Sequence, residues 1–375
     1  MTTLTSPAWE GQRRVAGSAP VRMHREFSRP DPVPPEPLSA QERRRLRGPA
    51  AAARLKEEQA YLGHVLVPTA QQARMSDLLV ETFEQVGFAH PGAHELPFAV
   101  GGSGTGKTFA VRAGARRIYR ALCTREELAS SLPPSIKTDA CEDALIPVVW
   151  VTITSTYWGS GAAINSVVKS VLQALGYQPR DRSSTDQVLQ MVDRVAQHGV
   201  RLLVLDDVSN FDLDRRDAEA LFRFVKFLNE TLGGLGVTIA STENRPADQV
   251  APVSLRDNEQ TMVRTRTQVF EPFMIDPLGT SRTPADRAWC SYLSEWEKIL
   301  APVLPEHVPG DLADDGRLVW ARATGRLVAL QPFLFRLTTR AIRSGALRIT
   351  SDLIEAEPPA DTSFEGLHAA QGGLQ

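Results

Sequence analysis

Eight consecutive residues, Gly101-Gly102-Ser103-Gly104-Thr105-Gly106-Lys107-Thr108, combine four glycines with a lysine and a terminal hydroxyl, a set suited to holding a chain of phosphates. Glycines let successive backbone N–H groups turn toward phosphate oxygens, and a helix starting at the end of the loop adds the partial positive charge of its N-terminus. The Lys107 ammonium can then reach the β- and γ-phosphates, and the Thr108 hydroxyl can ligate magnesium. A second group supplies the acid that such a loop needs: Leu202-Leu203-Val204-Leu205 runs directly into Asp206-Asp207. Asp206, at the end of a buried strand, would hold the metal, and Asp207 stands where an attacking water would be activated. The ligands implied are ATP and Mg2+.

These groups need a frame, and the pattern around them describes one. A short apolar run, Leu96 to Val100, leads into Gly101, and a helix-forming stretch follows the loop to about Leu122. Strands are expected at Ile146 to Ile153, Arg201 to Leu205, Val237 to Ala240 and Gln268 to Ile275, with helices at Ala162 to Leu175, Thr185 to Gln197 and Arg215 to Leu232. Apolar strands alternating with helices predict an α/β fold with a parallel sheet covered by helices on both faces. Beyond Leu278 only helical patterns remain, which predicts a small all-α lid. Near the start, Ser39 and Glu42 fit a capped helix that Gly48-Pro49 interrupts. The expected organisation is a disordered Pro-rich tail over 1–38, a basic helical segment over 39–63, a nucleotide-binding α/β domain over 64–278, a helical lid over 279–355 and a disordered tail over 356–375.

Net charge is -2, so any contact with DNA must come from a local patch. Two clusters qualify: Arg43, Arg44, Arg45 and Arg47, and, at helical spacing after the loop, Arg112, Arg116, Arg117 and Arg120. Either could meet phosphates or be a solvated face, and the second could also be a subunit contact. The three cysteines form no CxxC pair, which speaks against a disulfide framework or a zinc site. No apolar run approaches the roughly 18 residues of a membrane span, and the first residues lack a signal-peptide core, so the expectation is a cytoplasmic protein.

Further segments carry a family resemblance over roughly residues 64 to 352. They are Leu66-Val67-Pro68-Thr69, Leu175-Gly176-Tyr177, Leu205-Asp206-Asp207-Val208-Ser209-Asn210 and Ile239-Ala240-Ser241-Thr242-Glu243, then, in the helical part, Ala323-Thr324-Gly325-Arg326-Leu327, Ala341-Ile342-Arg343-Ser344-Gly345 and Ile349-Thr350. With these the chain resembles the TniB/TnsC-type transposition ATPases, a branch of the AAA+ P-loop NTPases. The resemblance implies an ATPase that regulates DNA transposition, and the short side chain of Asp207 points to slow turnover. The ATPase would assemble as a homo-oligomer on double-stranded DNA without sequence preference, and recruit or activate a transposase in concert with a target-selection protein. It also implies residue roles: Thr242 or Ser241 as sensor 1, Arg266 in preference to Arg264 as the arginine finger, and Arg326 as sensor 2. Asp207 replaces the family's usual Glu and Ser209 its usual His. The shorter Asp207 keeps a second reading open, a nucleotide-gated scaffold with little turnover. Signalling or defence P-loop ATPases, helicase loaders and initiators share the same core motifs.

Overall fold

The computed structural model describes residues 23, 26–88, 95–124, 146–153, 162–177, 184–208, 216–242, 265–275 and 283–359. The chain forms two units, one of residues 1–29, 71–101 and 107–269, the other of residues 30–70, 102–106 and 270–375.

The first unit is built on a five-stranded sheet. Its strands are β1 (Leu96–Gly101), β2 (Val148–Thr152), β3 (Leu202–Asp206), β4 (Gly236–Thr242) and β5 (Thr265–Phe270), in the order β2-β3-β4-β1-β5. β1 with β4, β2 with β3, and β3 with β4 all pair parallel. Strands of such a sheet are covered on both faces, which is why Leu202 to Leu205 are all apolar rather than alternating with polar residues. On one face Phe98, Val100, Val151, Leu205 and Ile239 share a core with the helices Ala162–Ala174, Ser184–Gln197 and Arg216–Leu232. Toward the other face lies the helix Lys107–Thr124, which packs on β1, β2, β3 and β4 and buries Ala110, Val111, Ala115 and Ile118. The register sets Gly101 opposite Thr242, and Asp206 opposite Thr152. The residues with candidate chemistry therefore share the carboxyl edge of the sheet, where ligands of α/β folds collect.

Two expectations change here. The last strand ends at Phe270 instead of reaching Ile275. Pro272 follows, and without an N–H it cannot continue a ladder. Phe27, inside the expected tail, is buried against Tyr119 with ring centroids 5.6 Å apart.

The second unit is helical. Ser39 and Glu42 form the expected capping box on the helix Ala40–Arg45, and Gly48-Pro49 opens a new helix, Gly48–His64, with proline in its first turn. The helices Pro284–Leu300, Asp311–Asp314, Gly316–Ala323, Leu327–Ser344 and Ser351–Ala356 follow. Trp289, Leu293, Phe333 and Leu337 are fully buried in a core that also takes in Tyr61, Leu62, Val65 and Val67. The Tyr292 hydroxyl donates to the Val67 carbonyl at 3.0 Å. Residues 30–70 thus group with the helical unit, where the sequence placed its boundaries at 38, 63 and 278. The buried Glu297 carboxylate accepts the backbone N–H groups of Gly310, Leu312 and Ala313, satisfying donors at a short helix start that has no side-chain cap.

Gly325 shows how closely this unit is packed. Its φ is 65°, and an added Cβ would run into the Phe273 carbonyl and the Trp320 indole nitrogen. Gly345 has a similar φ of 74° but open space around it. Gly325→Ala is expected to destabilise the unit by about 2 kcal/mol or more, and Gly345→Ala by about 1 kcal/mol. Thermal unfolding checks this, and equal shifts for the two variants would refute the steric account.

Candidate nucleotide-binding site

The loop leaves β1 at Gly101, and the chain turns helical at Lys107. Gly104 and Gly106 hold φ values of 77° and 92°, which only glycine adopts without strain. Within the loop the Thr105 hydroxyl donates to the Gly102 carbonyl at 2.9 Å.

In the first unit, the Lys107 ammonium donates to the Gly101 carbonyl at 2.8 Å and is only 6% exposed. Burial pulls its pKa down to about 8, with the negative charges of Asp207 and Asp206 acting against the fall. The Thr108 hydroxyl donates to Asp206 Oδ1 at 3.1 Å. Asp206 is 4% exposed, and burial pushes its carboxyl up to about 6. The charge of Asp207 adds to that rise, while hydrogen bonds from Thr108 and the Asp207 N–H and the charge of Arg112 oppose it. Both shifts come first from burial, and a metal–phosphate ligand would replace the hydration that the acid and the lysine have lost.

Asp207 lies just past β3 with φ 57°, the left-handed region, and its N–H donates to Asp206 Oδ1 at 3.1 Å. Asp enters that region more readily than Glu, because its short polar side chain bonds locally. The backbone thus gives a physical reason for Asp at this position.

These residues fit a magnesium nucleotide. The Thr108 hydroxyl touching the Asp206 carboxylate, with Lys107 buried beside them, matches a metal that takes one or two protein ligands and fills its shell with phosphate and water.

In the second unit the Gly104 carbonyl accepts the Val328 N–H at 3.3 Å, and a Cβ on Gly104 would stand 2.6 Å from Val328 Cγ1. Arg326 is the N-cap residue of the helix Leu327–Ser344, and its Cδ lies 3.7 Å from that same position. The middle of the loop therefore meets the start of this helix beside Arg326. Val328 carries no sequence signal for this role, since its contribution is a backbone N–H.

The remaining candidates separate. Arg266 is on β5, an edge strand, exposed and 3.3 Å from Glu95 and 3.6 Å from Glu81. Ser241 is fully buried opposite Val100, with its hydroxyl lacking a partner among the described residues. Thr242 sits in β4, but its side chain, together with Arg264, Ser209, Asn210 and Glu243, lies outside the described residues. The basic clusters are largely engaged within the chain. Arg43 is buried and grips Glu58 through two hydrogen bonds of 2.7 and 2.5 Å, and Arg44 pairs with Glu306 at 2.5 Å. Arg112 pairs with Glu26 at 3.1 Å and covers Trp150, Arg117 pairs with Asp77, and Arg116 and Arg120 donate to the Arg29 carbonyl. Among the described residues no helix is long and apolar enough to cross a membrane.

Sheet, loop and acid pair define an α/β fold of the P-loop class with an added helical unit. No protein-family model matches the sequence, and no curated protein matches it. Among solved structures the chain is similar to domain III of the replication initiation protein DnaA from Thermotoga maritima, at 16% identity over 78% of this chain and 91% of that one, TM-score 0.42. It is also similar to the Aeropyrum pernix ORC1 protein in complex with DNA, at 17% identity over 84% and 67%, TM-score 0.45. A third is AMPPCP-bound DnaA from Aquifex aeolicus, at 15% identity over 84% and 68%, TM-score 0.37. At such identities and TM-scores these likenesses carry no activity over to this chain.

Proposed function

We propose that this chain is an ATP-binding and ATP-hydrolysing AAA+ regulator of DNA transposition, which assembles as a homo-oligomer on duplex DNA and recruits or activates a transposase. The observation that carries the nucleotide part is the 3.1 Å hydrogen bond from Thr108 to Asp206. It joins two motifs far apart in the chain, beside a buried lysine, at the carboxyl edge of one sheet. Gly101 to Thr108 would hold the phosphates, Lys107 the β- and γ-phosphates, and Thr108 and Asp206 the magnesium ion. The metal, when bound, neutralises charge that develops on phosphate oxygens. Asp207 would accept a proton from the attacking water, with Ser241 or Thr242 orienting that water and Arg326 reading the nucleotide through the start of its helix. Arg266, exposed on an edge strand, would complete the site of a neighbouring subunit, a role that suits the fixed charge and planar fork of arginine. The transposition part, including the transposase and target-selection partners, rests on the resemblance to TniB/TnsC-type ATPases.

One observation favours a second reading. The short Asp207 side chain on a left-handed backbone fits a nucleotide-gated scaffold with little turnover. Both readings require assembly gated by ATP. With net charge -2 a single subunit has weak attraction for DNA, whereas an oligomer repeats each basic patch along the duplex. Sedimentation velocity with duplex DNA and a non-hydrolysable ATP analogue should show large assemblies only when both are present, and Arg266→Ala should prevent them. A monomer under every condition, or normal assembly by Arg266→Ala, contradicts the proposal.

A further inference from the structure

The helix Leu327–Ser344 places Arg336, Arg340 and Arg343 at i, i+4 and i+7, so their side chains stack along one face. With Gln59 from the helix Gly48–His64, and with Phe335, Thr339 and Ser344, they line an open groove of about 660 Å³ in the helical unit. Arg336 Nε donates to Glu357 at 2.8 Å, and an Arg340 Nη donates to the same carboxylate at 3.2 Å. Arg343 is exposed and makes no ion pair or hydrogen bond among the described residues. Among the described residues, three guanidiniums thus stand against one carboxylate, an excess of two positive charges. The Thr339 hydroxyl is buried without a partner among the described residues.

One arginine in the last turn is explained by the negative end of the helix dipole, but three in a row are not. Glu357 shows what the row accepts: an anion whose two oxygens are each taken by one guanidinium, an arrangement open to a phosphodiester as well. From Arg336 to Arg343 the helix rises about 10 Å, roughly three phosphates of one DNA strand. The one apolar side chain of the lining, Phe335, is partly buried against the helical core, so the exposed charge of the groove is that of the arginine row.

We infer that this groove binds the phosphate backbone of duplex DNA, an inference that rests on the DNA-bound reading above and assigns it a surface. The contact is one of charge to phosphate and carries no base preference.

The test uses the full chain with ATP and a fluorescent duplex, its anisotropy followed over a range of salt concentrations. Arg343→Gln should weaken DNA binding by about tenfold at low salt and make the plot of log affinity against log salt shallower by about 1. Arg343→Lys should keep most of the slope, since it retains the charge. ATP binding, measured separately, should be unchanged in both. If wild type binds DNA and Arg343→Gln binds it equally well with the same slope, the groove is overturned while the DNA reading stands. If wild type binds ATP but no duplex, both fall. If wild type binds polyglutamate and no duplex, the groove takes an acidic protein segment and the DNA assignment is overturned.

Discussion

Lys107→Ala is expected to cost about 3 kcal/mol of ATP binding, a loss on the order of 100-fold, with an unchanged circular dichroism spectrum. Lys107 is a buried cation at the loop's end, where the β- and γ-phosphates would lie, and burial already weakens its hold on its proton. An arriving phosphate replaces hydration that the ammonium has lost, so the interaction is stronger than it would be at a surface. Removing the lysine takes away its bond to the Gly101 carbonyl, but the glycine backbone and the Thr105 to Gly102 bond remain to hold the loop's path. Unchanged affinity in this variant would remove the phosphate-binding role from the loop.

The two aspartates are expected to separate by role. Asp206→Asn should weaken magnesium-dependent nucleotide binding by about 2 kcal/mol, on the order of 30-fold, because the carboxylate that touches Thr108 is lost. Asp207→Asn should leave binding nearly unchanged and lower turnover by about 100-fold or more. Asparagine is the informative substitution because it tolerates the left-handed backbone at φ 57°, so charge changes without backbone strain. Equal loss of binding in both variants would contradict this division. If wild-type turnover is negligible and Asp207→Glu raises it, the reach of the shorter side chain is the limit, and the scaffold reading gains.

Much of the site was legible because its signals are local. The glycine spacing, the lysine and the hydroxyl lie in eight residues, and four apolar residues before Asp206 mark a buried strand wherever they occur. The capping box at Ser39 and Glu42 is equally local, and it formed as expected. What failed to show was tertiary. Arg43 reads as one member of a surface cluster, yet a glutamate fifteen residues on draws it into the interior. Tyr61, Leu62, Val65 and Val67 sit next to the α/β segment in sequence but join the helical core, a choice decided by which apolar faces meet. The bond from Val328 to Gly104 uses backbone atoms alone and leaves no trace in residue type. The left-handed turn at Asp207 was equally hidden, although the departure from Glu marked the position. Arg336, Arg340 and Arg343 had a readable spacing, but only the groove around them gives it meaning.

The central claim is that Gly101 to Thr108 and Asp206 form a magnesium-dependent nucleotide site, and a calorimetric titration of the wild-type chain with ATP tests it most directly. The account predicts saturable binding of one nucleotide per chain with Mg2+ present, weakened when the metal is chelated and largely lost in Lys107→Ala. Absence of binding in wild type, or binding that neither chelation nor Lys107→Ala alters, would contradict it.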